Sequence, residues 1–325
     1  MIIQGLTLNG GFQLDPPPPG DTGYVVGGNY RQNGSQKLDT IDNFSFLTDG
    51  DAATIGNLAE TTYNAASASS SLSGYTMGGK TNNIFAGSIQ KFSFNSTATT
   101  GTTVGNLTQA TQMGTGNQSS EYGYASGGWI SNQSGSKNII DKFPFASDTN
   151  AVNIGQLAQG QANGAECGHS SSENGYVVGG QGGTSSTSKS NRIEKFPFSS
   201  DTNASYTADL VIKTFGYCGV SNNTHGFVCG GAGGIPYPAT NRLSDIQRFP
   251  FASDSNASLV GDLSEETNDS TGVSGTDSGY SCSGTTPSYN LSSFRITKFP
   301  YASVNTNTFV GNLPSATEGA SGCQG

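Results

Sequence analysis

Gly175-Tyr176-Val177-Val178-Gly179-Gly180, followed by Ile193-Glu194-Lys195-Phe196-Pro197-Phe198, is the passage from which the architecture can be read. A glycine–aromatic pair leads a short β-branched run, and a glycine doublet closes it. Glycine enters the positive-φ region without a Cβ penalty, so the doublet marks a turn between two strands. Ile-x-Lys-Phe-x-Phe has strand character, and simple alternation is expected to turn Ile inward and Lys outward. Pro197 cannot donate a ladder hydrogen bond, so it is expected at a strand end or on an unpaired side.

The same passage returns along the whole chain. Glycine–aromatic pairs stand at Gly23-Tyr24, Gly74-Tyr75, Gly123-Tyr124, Gly175-Tyr176, Gly226-Phe227 and Gly279-Tyr280, spaced by 51, 49, 52, 51 and 53 residues. An Ile-led aromatic strand follows each, starting at Ile41, Ile89, Ile140, Ile193, Ile246 and Ile296. Gly-(Asn/Gln/Asp)-Leu closes five units, at Leu58, Leu107, Leu157, Leu263 and Leu313, while the fourth has Ala208-Asp209-Leu210. Ser-Asp-x-Asn-Ala at 147–151, 200–204 and 253–257 reads as a turn built on Asp and Asn side chains. With the small-residue stretch ahead of each glycine–aromatic pair, every unit holds four short strands.

Composition agrees. Of 325 residues 47 are Gly; hydrophobic residues make up 33% and charged residues 11%, so the core must rest on the 10% that are aromatic. Gly, Ser, Thr and Asn are poor helix formers, which argues against a helical protein. No apolar run approaches the roughly 20 residues that span a bilayer. The net charge of −9, with scattered Lys and Arg, argues against nucleic acid as a partner. Met1 to Gly5 lacks the basic start and apolar stretch of a secretory leader. Five Cys, an odd number, oppose a disulfide framework. Folding in a reducing cytoplasm is the expectation.

The period and the order of signatures resemble the kelch repeat, a four-stranded propeller blade of roughly 50 residues. The resemblance rests on Tyr176-Val177-Val178-Gly179-Gly180, on the aromatic strand from Phe196 to Phe198, and on the turn and strand that follow; it covers residues 23–325. The outer-strand Trp usual in that family is absent, with Val104, Ile154 or Val260 near its place, and the sixth doublet is Ser283-Gly284. The expected fold is all-β: a six-bladed kelch-like β-propeller over 21–325 with four antiparallel strands per blade. An N-terminal arm and Pro-rich linker over 1–20 precede it. The first unit begins at its second strand, and Ala316 to Cys323 aligns with the stretch ahead of the fourth copy. The C-terminal segment is therefore expected to join the N-terminal blade as its innermost strand, sealing the ring.

Candidate chemistry is sparse. The Asp-x-Asn turns (Asp148/Asn150, Asp201/Asn203, Asp254/Asn256) supply too few oxygens for calcium, so turn chemistry explains them. His169 and His225 are the chain's two histidines and read as strand-edge residues. Cys229 and Cys282 replace valines and read as small hydrophobes. Sequons such as Asn33, Asn95 and Asn203 read as chance in a chain rich in Asn, Ser and Thr. Kelch-type propellers include copper oxidases, and other propellers include sialidases, but the Tyr-Cys-His or Arg-cluster constellations of such sites are not legible here. No catalytic residue, metal or cofactor is expected.

The segments between second and third strands differ most among the copies, and a meander places them on one face. They carry Tyr30, Phe85, Trp129, Tyr237 and Tyr289 among neutral side chains, a composition suited to sugar stacking or to a protein partner. In the arm, Leu6 and Leu8 alternate with polar residues; with Ile3 and Phe12 they form a candidate docking strand ahead of the stiff run Pro16 to Pro19.

The units at 140–151 and 246–257, ending in Val260-Gly261-Asp262-Leu263, look like those of propeller proteins encoded by marine tailed bacteriophages. That resemblance implies a non-enzymatic virion protein, tail-associated or decorating the capsid, folded in the host cytoplasm. It would dock on other virion proteins through residues 1–20 and present its loop face to a host-surface glycan, a receptor or neighbouring subunits. The alternative is a secreted or cellular kelch-like module binding carbohydrate or protein.

Overall fold

The computed structural model describes every residue except 1–19, 32–33, 83, 97, 131–135, 160, 163–167, 183–188, 234–241 and 288. Among the described residues there is no helix; six four-stranded antiparallel sheets form the blades of a β-propeller. Blades 2 to 6 draw their strands in sequence order from residues 66–106, 115–156, 169–209, 218–267 and 271–317. Blade 1 is built from both ends, as expected: Ser321–Gln324 is its innermost strand, beside Thr22–Val26, Thr40–Ser45 and Ala53–Asn57. The register pairs Gly23 with Gln324 and Val26 with Ser321. Thr22 and Gly325 then exchange two backbone hydrogen bonds of 3.1 Å. The prolines Pro144, Pro197, Pro250 and Pro300 end their strands, where no N–H is required.

Both faces of each blade are covered by neighbouring blades. Strand alternation therefore divides side chains between two seams, not between core and water. In blade 4, Tyr176, Val178 and Ile193 join a cluster with Val228 and Phe249 of blade 5. Val177 and Phe196 join another with Tyr124, Ile140 and Leu157 of blade 3. Lys195 pairs across the sheet with Tyr176 and so shares its face. This corrects the inward–outward reading: Ile and Lys lie on the same side, both against the next blade.

Each seam is built on rings. The glycine–aromatic ring of one blade stacks on the second ring of the next blade's Phe-x-Phe, with centroid separations of 4.7 Å for Tyr24–Phe94, 4.9 Å for Tyr75–Phe145 and 4.9 Å for Tyr124–Phe198. The ring closes with 4.8 Å for Tyr176–Phe251, 5.0 Å for Phe227–Tyr301 and 4.8 Å for Tyr280–Phe46. Such pairs contribute about 0.5–1.5 kcal/mol each beyond the area they bury. The preceding glycine is required by packing inside the blade: a Cβ at Gly175 would lie 2.5 Å from the ring of Phe196, its cross-strand partner.

Polar side chains repeat with the same period. Lysines of the third strands reach acids in the next blade's turn: Lys91–Asp148 at 3.2 Å, Lys142–Asp201 at 2.5 Å, Lys195–Asp254 at 2.6 Å and Lys298–Asp49 at 3.1 Å. In the same turns Asn150, Asn203 and Asn256 accept the backbone N–H of Asn106, Gln156 and Asp209 on the preceding blade, at 2.9, 3.0 and 3.0 Å. Ser-Asp-x-Asn-Ala is thus an inter-blade clip as well as a turn. The residue after the repeated Ile is buried, and in blades 2 to 5 it anchors the chain arriving from the previous blade. Gln90, Asp141, Glu194 and Gln247 accept the N–H of Glu60, Thr108, Ala158 and Ile212 at 2.7–2.9 Å.

Packing and charge make unequal contributions to a seam. Gly175→Ala forces a methyl against the Phe196 ring and is expected to cost about 1–3 kcal/mol. Lys195→Ala removes a solvent-exposed ion pair and is expected to cost less than about 1 kcal/mol. Urea unfolding of the two variants beside the parent chain checks the order.

Candidate functional site

Three of the residues that the sequence singled out for the loop face are described with their side chains. Tyr30, Phe85 and Trp129 are half-buried on blades 1, 2 and 3. None sits at a free loop tip. Asn29–Tyr30 pairs with Gln36–Lys37, and Ile84–Phe85 with Lys80–Thr81, where the Lys80 ammonium stands 5.5 Å from the Phe85 ring centroid. Trp129 exchanges backbone hydrogen bonds of 3.0 and 2.8 Å with Gln112 of the incoming connection. The backbone of Tyr289 lies in the long third strand of blade 6. Its side chain, Tyr237, and the arm residues Ile3, Leu6, Leu8 and Phe12 lie outside the described residues.

Near the axis on this face the structure assembles a polar cluster that sequence reasoning missed. Glu318, 1% exposed, meets the Arg31 Nε at 2.5 Å, and its Oε1 accepts hydrogen bonds from Asn29 Nδ2 (3.2 Å) and the Tyr63 hydroxyl (3.5 Å). Lys37 donates to Asn29 Oδ1 at 3.0 Å and stands 4.7 Å from the Tyr63 ring centroid. Asp269 belongs to the same electrostatic neighbourhood; burial first, and then the Glu318 charge, push its carboxyl up to about 7. Contributions come from blade 1 and from the connections that enter blades 1, 2 and 6. The cluster ties the two chain ends of the ring together.

Beside it, residues of five incoming connections form a hydrogen-bonded arc. Asn64 N–H donates to Gly319 O (2.9 Å), Met113 to Asn64 (2.8 Å), Asp269 to Gly216 (2.7 Å) and Gly319 to Asp269 (2.9 Å). These five residues all adopt positive φ, between 53° and 63°. Asn, Met and Asp at such positions gave no glycine signal in the sequence.

A cavity of about 330 Å³ occupies the axis. Its mouth lies among the first-to-second-strand turns, with Asn222, Asn223, Thr224 and Thr276. That is the end opposite the aromatic loop face, because the second strands run from these turns toward those loops. The innermost strands line it with Ser69, Gln118, Ser170, Ser221, Ser274 and Gln324. Ser69, Ser170 and Ser274 accept the N–H of Gln324, Gln118 and Ser221 at 3.0–3.1 Å, which fixes hydroxyls on alternate blades. Small residues are needed because the strands crowd: a Cβ at Gly168 would fall 2.1 Å from the Gly116 carbonyl oxygen. No described lining residue is ionisable. The cavity can hold water or a neutral polar molecule and presents no acid–base pair.

His169 opens the innermost strand of blade 4, at the edge of its sheet as expected, yet it is fully buried at a seam: Nδ1 donates to the Val220 carbonyl at 3.1 Å, and the ring meets Phe249 edge-on at 5.1 Å. Burial lowers its basicity to about 4. His225 also opens a strand, with Nδ1 2.8 Å from the Thr224 hydroxyl. Cys218, Cys229, Cys282 and Cys323 are buried and form no disulfide. Among the described residues no three His, Cys, Asp or Glu stand together as metal ligands. No helix among them is long and apolar enough to cross a membrane. No protein-family model matches the chain, and no curated protein matches it.

Because neutral His169 is built into the seam, the unfolded chain takes up a proton below pH 6.5 that the folded chain refuses until about pH 4. Its stabilising contribution is complete above pH 6.5 and is lost as pH falls, by up to about 3 kcal/mol. His169→Asn copies Asn117, which occupies the same place in blade 3. Denaturant titrations from pH 7 to 4 are expected to show the variant gaining on the parent as pH falls.

Proposed function

We propose that this chain is a non-enzymatic, kelch-like binding propeller that serves as a virion structural protein of a tailed bacteriophage. It docks on other virion proteins through residues 1–20 and presents the second-to-third-strand loops to a host-surface glycan, a receptor or adjacent subunits. In this reading the protein assembles in the host cytoplasm and resides in the particle.

The observation that carries the binding role is the way the repeat uses its side chains. The rings, lysines, turn acids and asparagines that recur with the period act between blades. What varies from blade to blade is the loop face with Tyr30, Phe85 and Trp129. A rigid scaffold under variable loops is the usual arrangement for recognition. The virion assignment draws on the resemblance of 140–151 and 246–257, on the scarce charge and on the alternating arm. Four buried thiols outside any disulfide suit folding in a reducing compartment.

Deletion of residues 1–20 is expected to leave the propeller folded and to abolish its incorporation into particles; incorporation of the shortened chain would overturn the docking role. On a glycan array, Trp129→Ala and Tyr237→Ala are each expected to weaken binding at least tenfold. Unchanged binding would remove these residues from the site.

A further inference from the structure

The clip between blades is broken at one seam in a lopsided way. Third strands carry Lys91, Lys142, Lys195, Arg248 and Lys298 at the same place in the repeat, and four of these meet an acid of the next blade. Between blades 1 and 2 both halves are missing: Asn43 replaces the cation, and the turn after Phe94 has no acid. Between blades 5 and 6 only the acid is missing. Val304 stands where the other turns carry Asp, and it folds inward, 7% exposed, against Phe299 and Leu263. Arg248 remains, half-buried, with no carboxylate in ion-pair reach among the described residues. It is also the one arginine in the series.

The space left by the turn is a cavity of about 330 Å³ lined by Arg248, Val260, Tyr301, Ser303, Val304 and Asn305. Ser303 and Asn305 are exposed, and the Ser303 hydroxyl also meets the Thr306 hydroxyl at 3.1 Å. A guanidinium binds a carboxylate through two parallel N–H···O bonds, which an ammonium cannot do. The volume exceeds what a lone carboxylate fills, and the further lining groups are a hydroxyl, an amide and an apolar side.

We propose that this seam is a binding site for a carboxylate-bearing sugar, with Arg248 holding the carboxylate and Ser303 and Asn305 bonding the ring hydroxyls. The site is separate from the loop face and does not rest on the virion reading. An acidic protein side chain would offer the same carboxylate without the hydroxyls.

Calorimetric titration of the full chain with glucuronate, glucose, acetate and phosphate tests it. Glucuronate is expected to bind at least tenfold more tightly than the other three. Arg248→Gln is expected to abolish that binding and Arg248→Lys to weaken it, both with unfolding midpoints near the parent's, because no internal ion pair is lost. Ser303→Asp is expected to block the site with the chain's own carboxylate. Acetate binding as tightly as glucuronate would replace the sugar by a bare carboxylate, the mode an acidic side chain would use. Equal binding of phosphate, no binding of glucuronate at millimolar concentration, or unchanged binding by Arg248→Gln would each overturn the proposal.

Discussion

The stack of one blade's aromatic ring on the second ring of the next blade's Phe-x-Phe is the contact on which the rest of the molecule depends. Only 33% of the chain is hydrophobic, so no blade has enough aliphatic surface to stand alone. Large rings compensate because each buries much area at little conformational cost. A ring shared by two blades also fixes their mutual orientation. Stability is therefore lodged between units, and the six seams rise or fall together. The glycine beside each ring follows from the same constraint, since any Cβ there would push the neighbouring phenylalanine out of the seam.

Much of this could be read in one dimension. The spacing of Gly23, Gly74, Gly123, Gly175, Gly226 and Gly279 carries the blade number, and Pro197 marks its strand end. The surplus of chain after Leu313 carries the closure. What could not be read is anything that needs to know which blade is next. Lys195 and Asp254 are 59 residues apart, and neither sequence neighbourhood hints at the other. His169 stands among Gly and Ser, as a surface residue would, yet it is enclosed by rings of the following blade. Arg31 and Glu318 come from opposite ends of the chain and become neighbours only after closure. The alternation of Ile193 and Lys195 was misread because period two shows which side a residue faces, not what covers that side.

Charge is used in a distinctive way. With 14 basic residues in 325, the chain commits most third-strand cations to seams. Such pairs add little stability on a wet surface. Their value here is directional: each links the same two elements in successive blades, and so helps to set the angle between them. Against so regular a background, a single cation without its acid stands out far more than it would on an ordinary protein surface.

The interlocked chain ends have a consequence for biosynthesis. Blade 1 is translated first but lacks its inner strand until Ser321–Gln324 has been made. While the ribosome extends the chain, Thr22–Val26 keeps an unpaired edge, and that half-built sheet is open to mispairing with other nascent chains. Ser321–Gln324 acts as a latch, and the ring stays open until that strand has been made. Truncation by even one strand at the carboxyl end would leave every copy with a sticky edge, which is a route to filaments or aggregates in place of a closed disc.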